Sequence, residues 1–187
     1  LEANAAATRK GHGGLQSEPV DGFVASMFRH RTSRTGDPHL HTHVLIANVA
    51  KAAAGKWRTL DGRLLYTHHK TAGHLYQAHL RHELTWQLGV EWGPVKNGCA
   101  DIEGLDRAVI IGFSERRRQI LEHMDRTGFR SARAAQIATL ETRPDKTTPT
   151  DGTIRDVWEA KAAEVGFDPS DLSDVIGRRP RLPYDPF

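Results

Sequence analysis

Hydrophobic and polar positions change period along the chain, and each change marks an element. Phe23, Val24, Met27 and Phe28 make Gly22 to His30 a strand. Leu40 to Val49 is a second strand, with Val44 and Ile46 on one face and Leu45, Ala47 and Val49 on the other. Apolar residues on both faces predict a strand covered on both sides and central in its sheet. Lys51 to Lys56 reads as a turn, and Trp57 to Leu60 starts a third antiparallel strand that stops at Asp61-Gly62.

From Thr67 the period becomes helical. Ala72, Tyr76, Leu80, Leu84 and Leu88 recur every four residues with Leu75 beside them, one apolar stripe of a helix that ends at Gly89. Val90 to Pro94 and Ala100 to Glu103 are short strands across Asn97-Gly98, a strong hairpin dipeptide. Ser114 is the expected N-cap for a helix over 115–127, Ser131 for 132–142, and Asp151 or Thr153 for one ending at Gly166 with Ile154, Val157, Trp158 and Val165 on its buried face. Asp168 to Ile176 is a last short helix, and the proline-bearing stretch from Arg178 to Phe187 reads as a linker or tail. Upstream, alanine-rich Leu1 to Lys10 reads as the last turns of a helix stopped by Gly11, Gly13 and Gly14. The expected class is α+β: an antiparallel sheet of about three to five strands packed by helices, with a helical C-terminal part.

Composition narrows the setting. A chain of 187 residues buries one core. No run approaches the ~20 apolar residues of a membrane span, so no membrane segment is expected. The single Cys99 makes no internal disulfide, which suits a reducing cytoplasm. Net charge is only +3, yet arginine supplies nineteen of the twenty-six basic side chains. Its planar fork matches phosphate oxygens, so the surface admits a nucleic-acid partner without requiring one.

The chemistry gathers in Phe28-Arg-His-Arg-Thr-Ser-Arg-Thr-Gly-Asp-Pro-His-Leu-His-Thr-His-Val44. Along a strand His41 and His43 point to one side and Leu40, Thr42 and Val44 to the other. Arg31 to Leu40 can reverse the chain, and residues opposite one another on paired strands share a face, with Cβ atoms roughly 4.5–5.5 Å apart. A register setting His30 against His41 or His43 collects three imidazoles on one face; a slip to Thr42 disperses them. Three neutral imidazoles suit a first-row divalent ion and leave positions for water or a substrate oxygen. Scattered surface histidines are the plainer alternative for a chain with eleven of them. His39 shares the alternation of His41 and His43. His79 and His82 share a helix face with no third donor and read as solvated or core-edge residues.

Residues 28–48, FRHRTSRTGDPHLHTHVLIAN, resemble the three-histidine motif of conjugative relaxases of the TrwC/TraI type (MobF class), within the wider HUH endonucleases. The resemblance continues through LEANAAATRKGHGG at 1–14, KWRTLDGRLLY at 56–66, DIEGL at 101–105, FSERRRQI at 113–120 and ATLETRPDK at 138–146. It implies a partial relaxase domain over 1–146 lacking its N-terminal portion, a helical extension over 147–177 and a tail over 178–187. It further implies a bacterial, cytoplasmic protein that nicks single-stranded DNA at a conjugative transfer origin through a phosphotyrosyl intermediate. His30, His41 and His43 would hold a divalent Mg, Mn or Zn ion, and Arg34 of the TSR element would reach a phosphate or else pair with Asp37. The family's pattern leaves His39 a bystander. It also places the catalytic tyrosine well before the first metal histidine, so the chain is expected to be truncated before its nucleophile and inactive alone. Tyr66 and Tyr76 read as packing residues and Tyr184 as exposed. Other conjugation proteins and a C-terminal helicase region in the parent protein are implied partners. The alternative is a non-catalytic single-stranded DNA-binding module with a structural metal, stacking bases on Trp57 or Trp92.

Overall fold

The computed structural model describes residues 1–128, 130–142 and 151–178, apart from the side chains of Ala132 and Asp151. The expected cap at Asp151, the end of the 138–146 block and the tail with Tyr184 thus lie wholly or partly outside the described residues. Among the described residues strands and helices are both present, and the strands pair in three two-stranded antiparallel sheets: β1 (Ala7–Lys10) with β2 (Gln16–Pro19), β3 (Ala25–Thr32) with β4 (Pro38–Ile46), and β5 (Ala50–Lys51) with β6 (Trp57–Arg58). The helices are α1 (Glu2–Ala5), α2 (Gly62–Leu88), α3 (Arg107–Gly112), α4 (Glu115–Thr127), α5 (Ala132–Glu141) and α6 (Asp151–Glu164). Two compact units divide the described chain: 1–28 with 42–101, and 29–41 with 102–178. The β3–β4 hairpin contributes residues to both.

In the first unit, Ala5, Ala7, Thr8, Ala50, Ala52, Leu60 and Val90 are buried. The helix expected up to Lys10 stops at Ala5, and residues 7–10 are strand instead. Glycines at 11, 13 and 14, all with positive φ, turn the chain back so that Thr8 faces Glu18 and bridges Leu60; pairing outweighs the local preference of alanine. Helix α2 starts at Gly62, five residues before the apolar period suggests. Asp61 accepts from the Arg63 N–H at 3.2 Å and from the Arg63 guanidinium at 2.9 and 2.7 Å, so the Asp61-Gly62 turn signal is a helix cap. Gly89, left-handed at φ 64°, closes its far end on the Thr85 carbonyl. The apolar stripe is only partly covered: Leu80 and Leu84 are half-buried, while Leu75, Tyr76 and Leu88 are exposed. Asn97-Gly98 makes the expected tight reversal, Lys96 and Cys99 exchanging backbone bonds of 2.8 and 3.0 Å, although the flanking residues form no longer strands.

In the second unit, α4 spans the expected 115–127 and α5 ends one residue early. Helix α3 was not anticipated; Asp106 caps it on the Ala108 N–H at 2.7 Å. Ser114 occupies the N-cap position of α4, but its hydroxyl donates to the Ile110 carbonyl at 2.6 Å and caps nothing. The last short helix is a 3-10 turn over Pro169–Asp174. Ala138, Ala162 and Val175 are buried here.

The central, doubly covered strand expected from Leu40 to Val49 is not what β4 is. Val24, Met27, Phe28, Leu40, Val44 and Leu45 are all exposed, between 49% and 75%. The two-sided apolar pattern asks for cover on each face, and a two-stranded ribbon supplies none from itself.

Candidate metal centre

A tight reversal sets the geometry of the hairpin. The Ser33 N–H donates to the Asp37 carbonyl at 2.9 Å and the Gly36 N–H to the Ser33 carbonyl at 3.1 Å. Gly36 adopts φ 87°, where a side chain is disfavoured. The Ser33 and Thr35 hydroxyls lie 2.9 Å apart, and Thr35 donates to the Asp37 carboxylate at 3.1 Å. The TSR-to-DP stretch is thereby a hydrogen-bonded unit that launches β4 two residues earlier than Leu40.

On this hairpin one ligand nitrogen from each of His30, His41 and His43 lies within 4.8 Å of the other two. The His30 and His41 rings meet edge to face across the strands, centroids 5.3 Å apart. Three nitrogens each ~2.1 Å from one ion are at most roughly 4 Å apart, so small ring rotations close the cluster onto a metal. The donor set fits: imidazole nitrogens, part-exposed, with room for water or a substrate oxygen. His41 Nδ1 is 2.8 Å from the His39 carbonyl. A carbonyl only accepts, so that nitrogen carries the proton and Nε2 is the lone-pair nitrogen of the neutral ring. Among the described residues no other group of three histidine, cysteine or acidic side chains comes this close together.

The other candidates fall as follows. His39 lies outside the cluster, and its ring stacks on that of His41 with centroids 4.5 Å apart. His79 and His82 stack at 6.4 Å, and His79 is 3.7 Å from the Glu83 carboxylate, without a third donor. Arg34 sits half-buried in the reversal. Asp37 is engaged by Lys161 Nζ at 2.7 Å and the Glu115 N–H at 2.9 Å; neither contact was legible in the sequence, where Asp37-Pro38 signalled only a turn. Tyr66 and Tyr76, expected to pack, are 80% and 57% exposed on α2. Trp57 is 60% exposed, whereas Trp92 is half-buried and donates through Nε1 to Thr85 at 2.9 Å.

Residues 1–165 match the family model described as TrwC relaxase. The chain belongs to the TrwC relaxase family. It is 32% identical over 179 residues to the multifunctional conjugation protein TraI of Escherichia coli, a match covering 89% of this chain and 10% of that protein. Among solved structures it resembles the conjugative relaxase TrwC in complex with OriT DNA in a metal-free form, with TM-score 0.79 and 35% identity over 88% of this chain and 59% of that one. It also resembles the copper-bound TrwC–OriT complex, with TM-score 0.78 and 36% identity over 88% and 58%. A third is TrwC complexed with a 27-mer DNA comprising the recognition hairpin and the cleavage site, with TM-score 0.78 and 36% identity over 88% and 60%. This TrwC-family chain therefore spans about a tenth of its curated TraI relative and about three fifths of the solved TrwC chains.

Proposed function

We propose that this chain is the metal-binding and C-terminal part of a relaxase that nicks single-stranded DNA at a conjugative transfer origin. The observation that carries the proposal is the convergence of His30, His41 and His43 within 4.8 Å on one hairpin of a TrwC-family chain. In this reading the three imidazoles hold a divalent ion. The chemistry such an ion supplies when bound is Lewis-acid polarisation of a phosphate oxygen and alignment of the phosphorus for in-line attack. Arg34, in the reversal between the two metal strands, offers a fork of donors to the neighbouring phosphate. A tyrosine oxygen attacks phosphorus, the bond to the 3′ oxygen breaks, and a phosphotyrosyl link to the 5′ side forms while the 3′ oxygen leaves as a hydroxyl.

The attacking tyrosine, in our proposal, comes from outside residues 1–187: the family's pattern sets it well before the first metal histidine, and among the described residues Tyr66 and Tyr76 lie on α2 and not on the metal hairpin. Residues 1–146 act as the relaxase part, 147–177 as its helical extension and 178–187 as a linker, in a bacterial cytoplasmic protein that works with other conjugation proteins and carries a helicase region beyond. No helix among the described residues is long and apolar enough to cross a membrane. The placement of the tyrosines equally favours a second reading, a single-stranded DNA-binding module that exposes Trp57 for base stacking. Labelled origin single strand is incubated with Mg²⁺ or Mn²⁺ and either this chain or one extended toward the length of its relatives. Covalent transfer by the extended chain only supports the relaxase reading; binding without transfer by both supports the module.

A further inference from the structure

The apolar ribbon that carries the three histidines has both faces exposed, so packing along its length does not hold the rings together. Its reversal is a different case. Asp37 is 4% exposed, and each of its carboxylate oxygens is occupied from a helix far along the chain. Oδ1 accepts from Lys161 Nζ of α6 at 2.7 Å, and Oδ2 accepts from the Glu115 N–H at the start of α4 at 2.9 Å. One residue earlier, the Gly36 carbonyl accepts from Trp158 Nε1 of α6 at 2.7 Å. Lys161 is itself half-buried, its side chain 23% exposed, and its Nζ lies 5.9 Å over the Phe113 ring. Removing Lys161 would leave the buried Asp37 carboxylate without its counter-charge.

Trp158 and Lys161 lie three residues apart on α6 and so share a helix face. That face grips two successive residues of the reversal. The segment between Thr32 at the end of β3 and Pro38 at the start of β4 is thus clamped from α6, and the clamp bears on how β3, with His30, is joined to β4, with His41. We propose that Lys161 and Trp158 are positioning residues of the metal centre, acting through Asp37 and Gly36. The inference rests on the three-histidine reading and assigns to α6 a task in metal binding. Groups that orient metal ligands without touching the ion typically alter affinity by roughly 10–100-fold when lost.

The test is a titration of the whole chain with Co²⁺, followed by calorimetry and by the visible absorption of the bound ion, with far-ultraviolet circular dichroism confirming the fold. Lys161→Met is expected to weaken binding about tenfold and to change the Co²⁺ spectrum, and Lys161→Arg, which keeps the charge, to restore both. Trp158→Phe keeps the ring and loses the donor; a loss of about threefold is expected, within the range for one hydrogen bond. A role confined to stability would lower the unfolding temperature and leave the spectrum and affinity of the folded protein unchanged. Wild-type affinity and spectrum in both Lys161→Met and Trp158→Phe overturn the inference. If Lys161→Met does not fold, Trp158→Phe decides alone, and unchanged binding there overturns it. Absence of Co²⁺ binding by the unaltered chain defeats the metal reading itself, a result distinct from unchanged variants of a chain that does bind.

Discussion

The His41 ring lies against that of His39, its centroid 4.5 Å away and its plane 25° off parallel, while its Nδ1–H donates to the His39 carbonyl at 2.8 Å. The acceptor is backbone, so the tautomer of His41 survives any change to the His39 side chain. His41→Ala is therefore expected to weaken Mn²⁺ or Ni²⁺ binding by at least about tenfold, His39→Ala far less, and His79→Ala not at all. Calorimetry on the three variants checks this. Comparable losses in all three would mean that ions bind diffusely to surface histidines.

Single-stranded origin DNA is expected to bind this chain, with affinity falling steeply between low and physiological salt as counterion release loses its advantage. No covalent adduct is expected from the chain alone. Denaturing gels after incubation with labelled DNA and Mn²⁺ show the outcome directly. A shifted band abolished by Tyr66→Phe, Tyr76→Phe or Tyr184→Phe would place the nucleophile inside these residues.

Gly98 and Gly55 separate two costs of adding a methyl group. Both have positive φ, 82° and 74°, but a Cβ at 98 would fall 2.2 Å from His74 Nδ1, while one at 55 meets nothing within 4 Å. Gly55→Ala is expected to cost about 1–2 kcal/mol, the left-handed penalty alone. Gly98→Ala should exceed it by about 1–3 kcal/mol for overpacking. Urea unfolding of the two variants gives the difference, and equal values would remove His74 from the account.

The Arg118 guanidinium, bonded to the Glu115 carboxylate at 2.6 and 2.9 Å, holds that carboxyl below its ordinary value of 4.5, with Gln119 helping and partial burial opposing. As pH falls, the unfolded chain takes up this proton first, so stability is lost from about pH 4.5 downward and is wholly gone below the depressed folded value. Unaltered protein is expected to be more stable than Glu115→Gln at neutral pH, with the gap closing through that acid window. Unfolding curves at a series of pH values test it. A gap that does not narrow as pH falls below about 4.5 would assign the effect to packing.

What the sequence made legible was local or periodic. The spacing of His30, His41 and His43 with an intervening turn foretold the cluster, Asn97-Gly98 foretold its reversal, and the pattern after Ser114 foretold α4. What it hid was decided by partners distant in the chain. Residues 7–10, at the end of an alanine-rich stretch, read as helix because nothing nearby shows that Thr8 will bridge Leu60. Ser114 reads as a cap because Asp37, 78 residues before Glu115, gives no local sign of accepting from the first N–H of the helix. Lys161 carries no local mark of its contact with Asp37 across 124 residues. The apolar faces of β4 described an environment that this stretch does not itself build.

Helix α4 begins with an N–H that no residue of its own helix can satisfy, and that amide, Glu115, is held by Asp37. Its exchange with deuterated solvent is therefore expected to require release of Asp37, and so to report on the reversal between β3 and β4 as well as on the helix in which it sits. A single backbone proton is thus a reporter for the base of the histidine hairpin, one that needs neither metal nor DNA to be read.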